Sequence, residues 1–132
     1  MTISLRKATY TYGNIMASQA YTLSVPSEQY VEQADYFGLA SGREVDKFKE
    51  TGLSAVKSEM VDAPFVGEFP MVLECKVIHQ YAIGLHTHFV GEILDVKIEE
   101  SALTADGHPD MRKISPLTVS YTHLTLPTTP YV

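Results

Sequence analysis

Cysteine is nearly absent from the 132-residue sequence, in which Cys75 is the single thiol. One cysteine cannot form an internal disulfide and fits a reducing compartment, so we expect a cytoplasmic protein. A buried position explains this residue better than a nucleophilic role, because no CxxC partner stands near it. No apolar stretch in the sequence approaches the roughly 20 residues that a membrane span requires. The sequence also lacks the pattern of a signal peptide, in which a positively charged start precedes an apolar segment.

Several nucleotide-binding and hydrolase motifs are missing too. The sequence contains no GxGxxG, no Walker A loop and no GxSxG elbow. A Rossmann nucleotide fold, a P-loop enzyme and an α/β-hydrolase are therefore unsupported. The 45% hydrophobic content instead fits one globular domain.

Basic residues are few and unevenly placed. Ten Lys and Arg stand against 16 Asp and Glu, which gives a formal net charge of −6. Nucleic acids and anionic membranes need a dense Lys/Arg surface, so the composition predicts neither partner. Residues 1–27 nevertheless contain Arg6 and Lys7 and no acid. This small basic segment is a candidate anion site.

Local patterns predict short elements in the first half of the chain. Thr2 to Leu5 has the pattern of a strand, Thr9 to Ala17 that of a short helix, and Tyr21 to Val25 that of a second strand. A helix over about 27–37 begins after Pro26 and stops at Gly38. The spacing of Ser41 and Glu44 predicts a capping box that begins another helix, which Gly52 ends. The charges between Glu44 and Glu50 are interpreted as its solvated face.

The second half has a β character. Segments 71–81 and 86–98 are rich in Val, Ile, Leu and aromatic residues, with Gly84 between them, and predict an antiparallel hairpin. Segment 104–110 contains Asp-Gly and reads as a turn. Residues 118–132 have no formal charge and neither a helical stripe nor a strand alternation. We expect one domain over 1–117 and an unstructured tail over 118–132.

Two clusters of polar residues are candidate functional sites, one for a phosphate and one for a metal ion. Between Ser4 and Tyr12, two cations and several hydroxyls join a strand to a helix, a combination that suits a phosphate; a solvated N-terminal edge is the alternative. His86, His88 and Glu92 share one face of a strand and suit zinc or non-haem iron, like the HxH…E core of cupins. A plain barrel strand is the alternative there.

Four collinear blocks carry a wider resemblance. SLRKATYTYGNI (4–15), YTLSVPSEQYVEQADYFGLASGREVDKF (21–48), VKSEMVDAPFVGEFPMVLECKVI (56–78) and GLHTHFVGEILDV (84–96) resemble the flavin reductase-like, FMN-binding split-barrel family, in particular its flavoredoxin-type members. The likeness runs from about Ile3 to Leu117. It implies an α+β fold built on a split β-barrel of antiparallel strands with two or three short helices.

The resemblance also implies a function. Family members bind FMN non-covalently, usually at a homodimer interface, and move electrons from NAD(P)H or a redox protein to flavin or another acceptor. His86 matches a position that faces the flavin or the nicotinamide and is the expected catalytic residue, whereas His88 matches a more variable position. Segment 41–48 matches a helix near the dimer and flavin region. The expected FMN-binding residues are Ser4, Leu5, Arg6, Lys7, Thr9 and Tyr12.

The sequence departs from the family pattern at both ends. Only Met1 and Thr2 precede Ile3, so we expect the N-terminal part of the barrel to be missing and the barrel to be incomplete. After Leu117 the sequence no longer follows the family. Two alternatives therefore stand beside the flavin oxidoreductase: a catalytically incompetent fragment without flavin, and a cupin-like metal-binding module.

Overall fold

The computed structural model of the chain describes residues 1–118. Its strands and helices are, in order, β1 (Thr2–Arg6), α1 (Tyr10–Ser18), β2 (Ala20–Val25), α2 (Val31–Leu39), α3 (Lys47–Thr51), β3 (Ala55–Lys57), β4 (Pro64–Val66), β5 (Met71–Ile83), β6 (His86–Ile98) and α4 (Met111–Ile114). Short 3₁₀ segments at Glu28–Tyr30 and Glu100–Ala102 precede α2 and follow β6. From residue 119 onward the predicted tail lies outside the described residues.

The main sheet is antiparallel and has the strand order β1-β6-β5-β2. Strands β5 and β6 pair along their length, and Ile83 lies opposite His86 across a two-residue turn. The first turn residue, Gly84, has a φ of +57°, which glycine adopts without strain and which such tight turns favour. The predicted hairpin is therefore confirmed. A second sheet, β3-β4, has only three residues per strand and was not predicted.

The main sheet is curled around an apolar core. Its register shifts at Glu74/Cys75 and at Val77/His79, and such irregularities bend and twist a sheet. Helix α1 packs into the concave side through Ile15. The buried core residues are Ile15, Tyr21, Leu73, Cys75, Val77 and Phe89. This curled half-barrel with short helices confirms the predicted α+β class, and Cys75 is buried as expected.

Tyr21 ties the start of the chain to the sheet. Its hydroxyl donates to the carbonyl oxygen of Met1 at 2.9 Å, and the N–H of Gly91 donates to the same oxygen at 2.8 Å. The Tyr21 hydroxyl occupies the space that a Cβ at position 91 would need, which explains the glycine there. Burial raises the pKa of Tyr21 to about 12, because the phenolate is poorly solvated in the core.

The helices differ from the predictions in three ways. The helix predicted over about 27–37 is a 3₁₀ segment followed by α2, which starts at Val31 and runs through Gly38, the expected stop, to Leu39. Helix α3 begins at Lys47 with Asp46 as its cap, whose Oδ1 accepts the N–H of Lys49 at 3.2 Å. The predicted Ser41 capping box is wrong, because the Ser41 carbonyl accepts the N–H groups of Glu44 and Val45 in an isolated turn before the helix. Four short α-helices are present in residues 1–118, where two or three were expected. None of these helices is long and apolar enough to cross a membrane.

Candidate functional site

A cleft of about 1660 Å³ opens on the concave side of the sheet. Residues of α1 and of the turn before it form one wall. The segment between α2 and α3, together with Lys47 and Phe48 of α3, forms the opposite wall. Strands β2 and β4 also contribute to the lining. The cleft is thus built by segments far apart in sequence, which the curled sheet brings together.

The wall formed by α1 provides hydrogen-bond donors and a positive electrostatic potential. Thr9 caps α1: its Oγ1 accepts the N–H of Tyr12 at 3.2 Å and donates to the Arg6 carbonyl at 2.9 Å. No acidic residue lies in the first turn of α1. The leading N–H groups of this helix, together with Arg6 at the cleft edge, therefore make this side attractive to an anion.

The second wall adds two cations. Arg43 and Lys47 both line the cleft, as do the acidic residues Glu44, Asp46 and Asp62. The Nζ of Lys47 donates to the Phe37 carbonyl at 2.6 Å and lies 5.8 Å from the centre of the Phe37 ring. Partial burial lowers the pKa of Lys47, because the protonated amine loses solvent. These interactions hold the amine at the cleft wall.

The two walls touch at one point. A Cβ added to Gly42 would lie only 2.8 Å from Cδ1 of Tyr10, so the aromatic ring rests directly on the glycine backbone. Tyr10 is the first residue of α1, and both residues line the cleft. Half of the Tyr10 side chain remains exposed.

A different polar group lies on the convex face of the sheet. Ser4 is opposite His88, and Arg6 is opposite His86, so these four side chains share a face. The Ser4 Oγ lies 2.6 Å from Nδ1 of His88. On the other side, the His88 ring packs against Tyr81 with 5.3 Å between ring centres. Ser4 and His88 thus already have partners within the sheet.

The predicted FMN-binding residues are distributed over three places. Leu5, Arg6 and Thr9 line the cleft, whereas Ser4 lies on the convex face with the expected catalytic residue, His86. Arg6 links the two groups, because it ends β1 at the cleft edge and is also opposite His86.

The other two predicted residues lie outside the cleft lining. The backbone N–H of Lys7 donates to the Leu85 carbonyl at 3.3 Å. Tyr12 packs against the core, with its ring centre 6.0 Å from that of Phe89.

Sequence reasoning missed Arg43 and Lys47 as cleft cations. The solvated-face interpretation holds for the exposed Lys49 and Glu50 but not for Lys47, which is half-buried at the wall, nor for Glu44 and Asp46, which also line the cleft. The signal that pointed to this segment was its match to a family helix near the flavin region.

The metal-binding alternative has no support in the geometry. Glu92 shares a face with His88 but lies four residues along β6, which is about 13 Å in an extended strand. Ligands of one metal ion lie within a few ångströms of each other, so these side chains do not meet. Within residues 1–118, no group of three or more His, Cys, Asp or Glu residues is arranged to hold a metal.

Among curated proteins, the chain is similar to relatives that are longer than the aligned region. An uncharacterized protein of Archaeoglobus fulgidus is 30% identical over 109 residues, which are 83% of this chain and 60% of that protein. A ferric-chelate reductase (NAD(P)H) of the same organism is 30% identical over 102 residues, or 76% of this chain and 59% of that protein. The chain therefore spans about 60% of the length of these two relatives.

Solved structures show the same fold. Flavoredoxin of Desulfovibrio vulgaris (Miyazaki F) is 53% identical, with a TM-score of 0.82 over 87% of this chain and 62% of that one. Flavoredoxin from Methanosarcina acetivorans is 29% identical, with a TM-score of 0.81 over 96% of this chain and 73% of that one. The family model described as "Flavin reductase like domain" matches residues 1–121. The chain belongs to the flavin reductase like domain family.

Proposed function

We propose that this protein is a flavin oxidoreductase that binds FMN in the cleft and moves electrons from NAD(P)H or a redox protein to flavin or another acceptor. The observation that carries the proposal is a large cleft in a domain of the flavin reductase like family, with Arg6 beside the capped start of α1, where no acidic residue lies in the first turn. Cytoplasm is the expected location, since NAD(P)H is available there and a lone thiol stays reduced.

The residues present fit FMN. A terminal phosphate carries about −1.5 to −2 charge at pH 7, and Arg6, Arg43 and Lys47 supply the cations that it requires. Partly buried Leu5 and Leu23 line the same cleft and offer an apolar surface for the flat ring. The close seating of Tyr10 on Gly42 forms a narrow point between the walls.

The predicted contacts keep different roles in this proposal. Arg6 binds the phosphate directly. Thr9 acts by capping α1, because its hydroxyl hydrogen already goes to the Arg6 carbonyl. Lys7 adds to the positive potential near this end of the cleft, and Ser4 and Tyr12 hold the surrounding sheet and helix through His88 and Phe89.

Bound FMN would supply hydride acceptance at its N5 atom, and the protein would supply binding, orientation and the surroundings of the ring. The cations hold the phosphate end, and the apolar part of the cleft keeps water from the ring. His86 stands beside Arg6 at the edge of the site. Because His86 lies on the convex face and outside the cleft lining, we assign it a position that faces the flavin or the nicotinamide from beyond the cleft edge that Arg6 forms.

The proposal includes a homodimer. Three apolar side chains at the end of the hairpin are between 52% and 70% exposed: Tyr81, Ile83 and Leu85. Exposed apolar patches of this kind mark interaction surfaces. A second copy that packs on this surface would cover it and would enclose His86, which pairs with Ile83.

The electron acceptor completes the proposed reaction. The resemblance implies flavin or another acceptor, with NAD(P)H or a redox protein as the donor. The ferric-chelate reductase relative adds a ferric chelate as a candidate. Stopped-flow oxidation of the reduced protein by FMN and by ferric citrate would rank these acceptors.

The first test is the visible spectrum of the purified chain. We expect a yellow protein, or a colourless one that gains the flavin absorbance and quenches flavin fluorescence when FMN is added. NADH and NADPH are then compared as reductants under anaerobic conditions. A preparation that stays colourless after FMN addition would favour the flavin-free fragment.

A further inference from the structure

The contact between Tyr10 and Gly42 is the point where the two walls of the cleft meet. Cδ1, Cγ and Cβ of Tyr10 would lie 2.8, 3.4 and 3.5 Å from a Cβ at position 42, so the base of the side chain and the near edge of its ring rest on the glycine. Such a contact leaves no passage between the two residues. It bridges the cleft at the N-terminal end of the α1 wall.

Two cations of the cleft, Arg6 and Arg43, lie within four residues of Tyr10 and Gly42 in the sequence. Arg43 directly follows Gly42, and Thr9, which precedes Tyr10, bonds to the carbonyl of Arg6. In the proposed function these cations hold the phosphate of FMN. A group that continues beyond that phosphate would therefore meet the Tyr10 ring.

FMN and FAD differ at this position. FMN ends in a phosphate monoester, whereas FAD continues from the same phosphate into an adenosine monophosphate unit. The monoester also carries more charge per phosphate than a diester, which favours it beside several cations. Both the steric barrier and the charge favour the shorter flavin.

We infer that Tyr10, seated on Gly42, is a specificity-determining residue that closes the phosphate end of the cleft and selects FMN over FAD. This inference rests on the proposed function, because it takes the cleft as the flavin site. It assigns Tyr10 a steric role, in which the aromatic ring matters and the hydroxyl does not.

Gly42 is required for the same contact. Any side chain at position 42 would displace the Tyr10 ring from its seat, since the nearest contact is below the distance that real Cβ atoms adopt. Tyr10 is 49% exposed, so its truncation leaves the core intact and a folded variant is expected.

The test is a titration of the apoprotein, full chain, with FMN, FAD and riboflavin, followed by flavin fluorescence. Wild type is expected to prefer FMN over FAD by at least about tenfold, and riboflavin is expected to bind more weakly than FMN. Tyr10→Ala should lower the FMN:FAD ratio about tenfold, chiefly through stronger FAD binding. Tyr10→Phe, the matched control, keeps the ring and should keep the wild-type ratio.

Gly42→Ala provides a second, independent route, because it moves the ring without removing it. It is expected to lower the FMN:FAD ratio as well. The same ratio in Tyr10→Ala and wild type, or an equal loss in Tyr10→Phe, would overturn the inference and leave FMN binding standing. Absence of FMN binding by wild type would overturn the proposed function itself, and the specificity inference with it.

Discussion

The two halves of β5 have opposite surroundings although they form one continuous strand. From Val72 to Cys75 every residue is buried, and β2 and β6 pair on the two sides. From Ile78 to Ile83 every residue is exposed, and within residues 1–118 only β6 pairs with this part. The difference shows that hydrogen-bonded pairing alone does not bury a strand. A neighbouring strand and a covering helix are also required.

The chemistry of the two halves differs as well. The first half belongs to a charged network, in which the Nζ of Lys97 lies 2.9 Å from Glu74 and 2.7 Å from Asp95. No carboxylate occurs between Cys75 and Gly91, where the second half of β5 and the start of β6 lie. The second half combines an open strand edge with apolar side chains. We therefore assign stability to the first half and interaction to the second.

The largest expected effect is a difference in stability between the two halves. Leu73 is 7% exposed in the core and Ile83 is 58% exposed at the hairpin end. Leu73→Ala should lower the free energy of unfolding by about 2–5 kcal/mol, because it leaves a cavity. Ile83→Ala should change it by about 0.5 kcal/mol or less at protein concentrations that keep the chain monomeric. Urea denaturation measures both, and equal losses would contradict the division of β5.

The next effect concerns FMN binding at the end of the hairpin. Arg6→Ala should weaken FMN binding by about 2 kcal/mol, or roughly 30-fold, because it removes a charge-assisted contact with the phosphate. Lys7→Ala is the matched control, since Lys7 carries the same charge outside the cleft lining. Titration by flavin fluorescence gives both affinities. Equal losses in the two variants would indicate a general effect of charge.

A smaller effect tests the interaction role of the second half. Ile83→Asp should weaken self-association at least about tenfold, because a carboxylate is costly to bury in an interface. Met60→Asp is the control: Met60 is also about half exposed but lies in the turn between β3 and β4. Analytical ultracentrifugation measures the change. A dimer that survives Ile83→Asp would place its interface elsewhere.

The smallest expected effect is a loss of stability at alkaline pH. It arises at Tyr21, which packs against the first half of β5. Tyr21 is opposite Cys75, and its pKa is raised to about 12 in the folded protein, while the unfolded chain releases the proton near pH 10. The unfolded state therefore binds fewer protons between these values, and stability should fall as the pH rises from 10 to 12. Tyr21→Phe should remove this part of the loss. Urea denaturation at pH 8, 10 and 11 provides the comparison.

Much of the sheet and part of the site follow from local sequence. Strand alternation and Gly84 predict the β5-β6 hairpin, and the Thr9 region predicts α1. The pair β3-β4 was missed because three residues are too few for an alternation to stand out. The Ser41 and Glu44 spacing satisfied the capping pattern, but an isolated turn used the same groups.

The site depends on contacts that spacing does not reveal. Arg6 was predicted from its local cluster. Arg43 and Lys47 lie more than 35 residues later, and only the folded chain brings them to the same cleft. Ser4 was expected to offer its hydroxyl to a phosphate, but its partner in the structure, His88, is 84 residues away.

The two-residue turn at Gly84 has a consequence for the order of folding. It joins two 13-residue strands directly, so their pairing begins between neighbours and spreads outward. Hairpins of this kind form in about 1–10 μs, whereas β1 must find β6 across 79 intervening residues. We therefore expect the hairpin to form first and to serve as the template on which both chain-distant strands assemble. The positive φ of Gly84 therefore favours this early step, whereas the long-range pairing of β1 with β6 is expected to limit the overall rate.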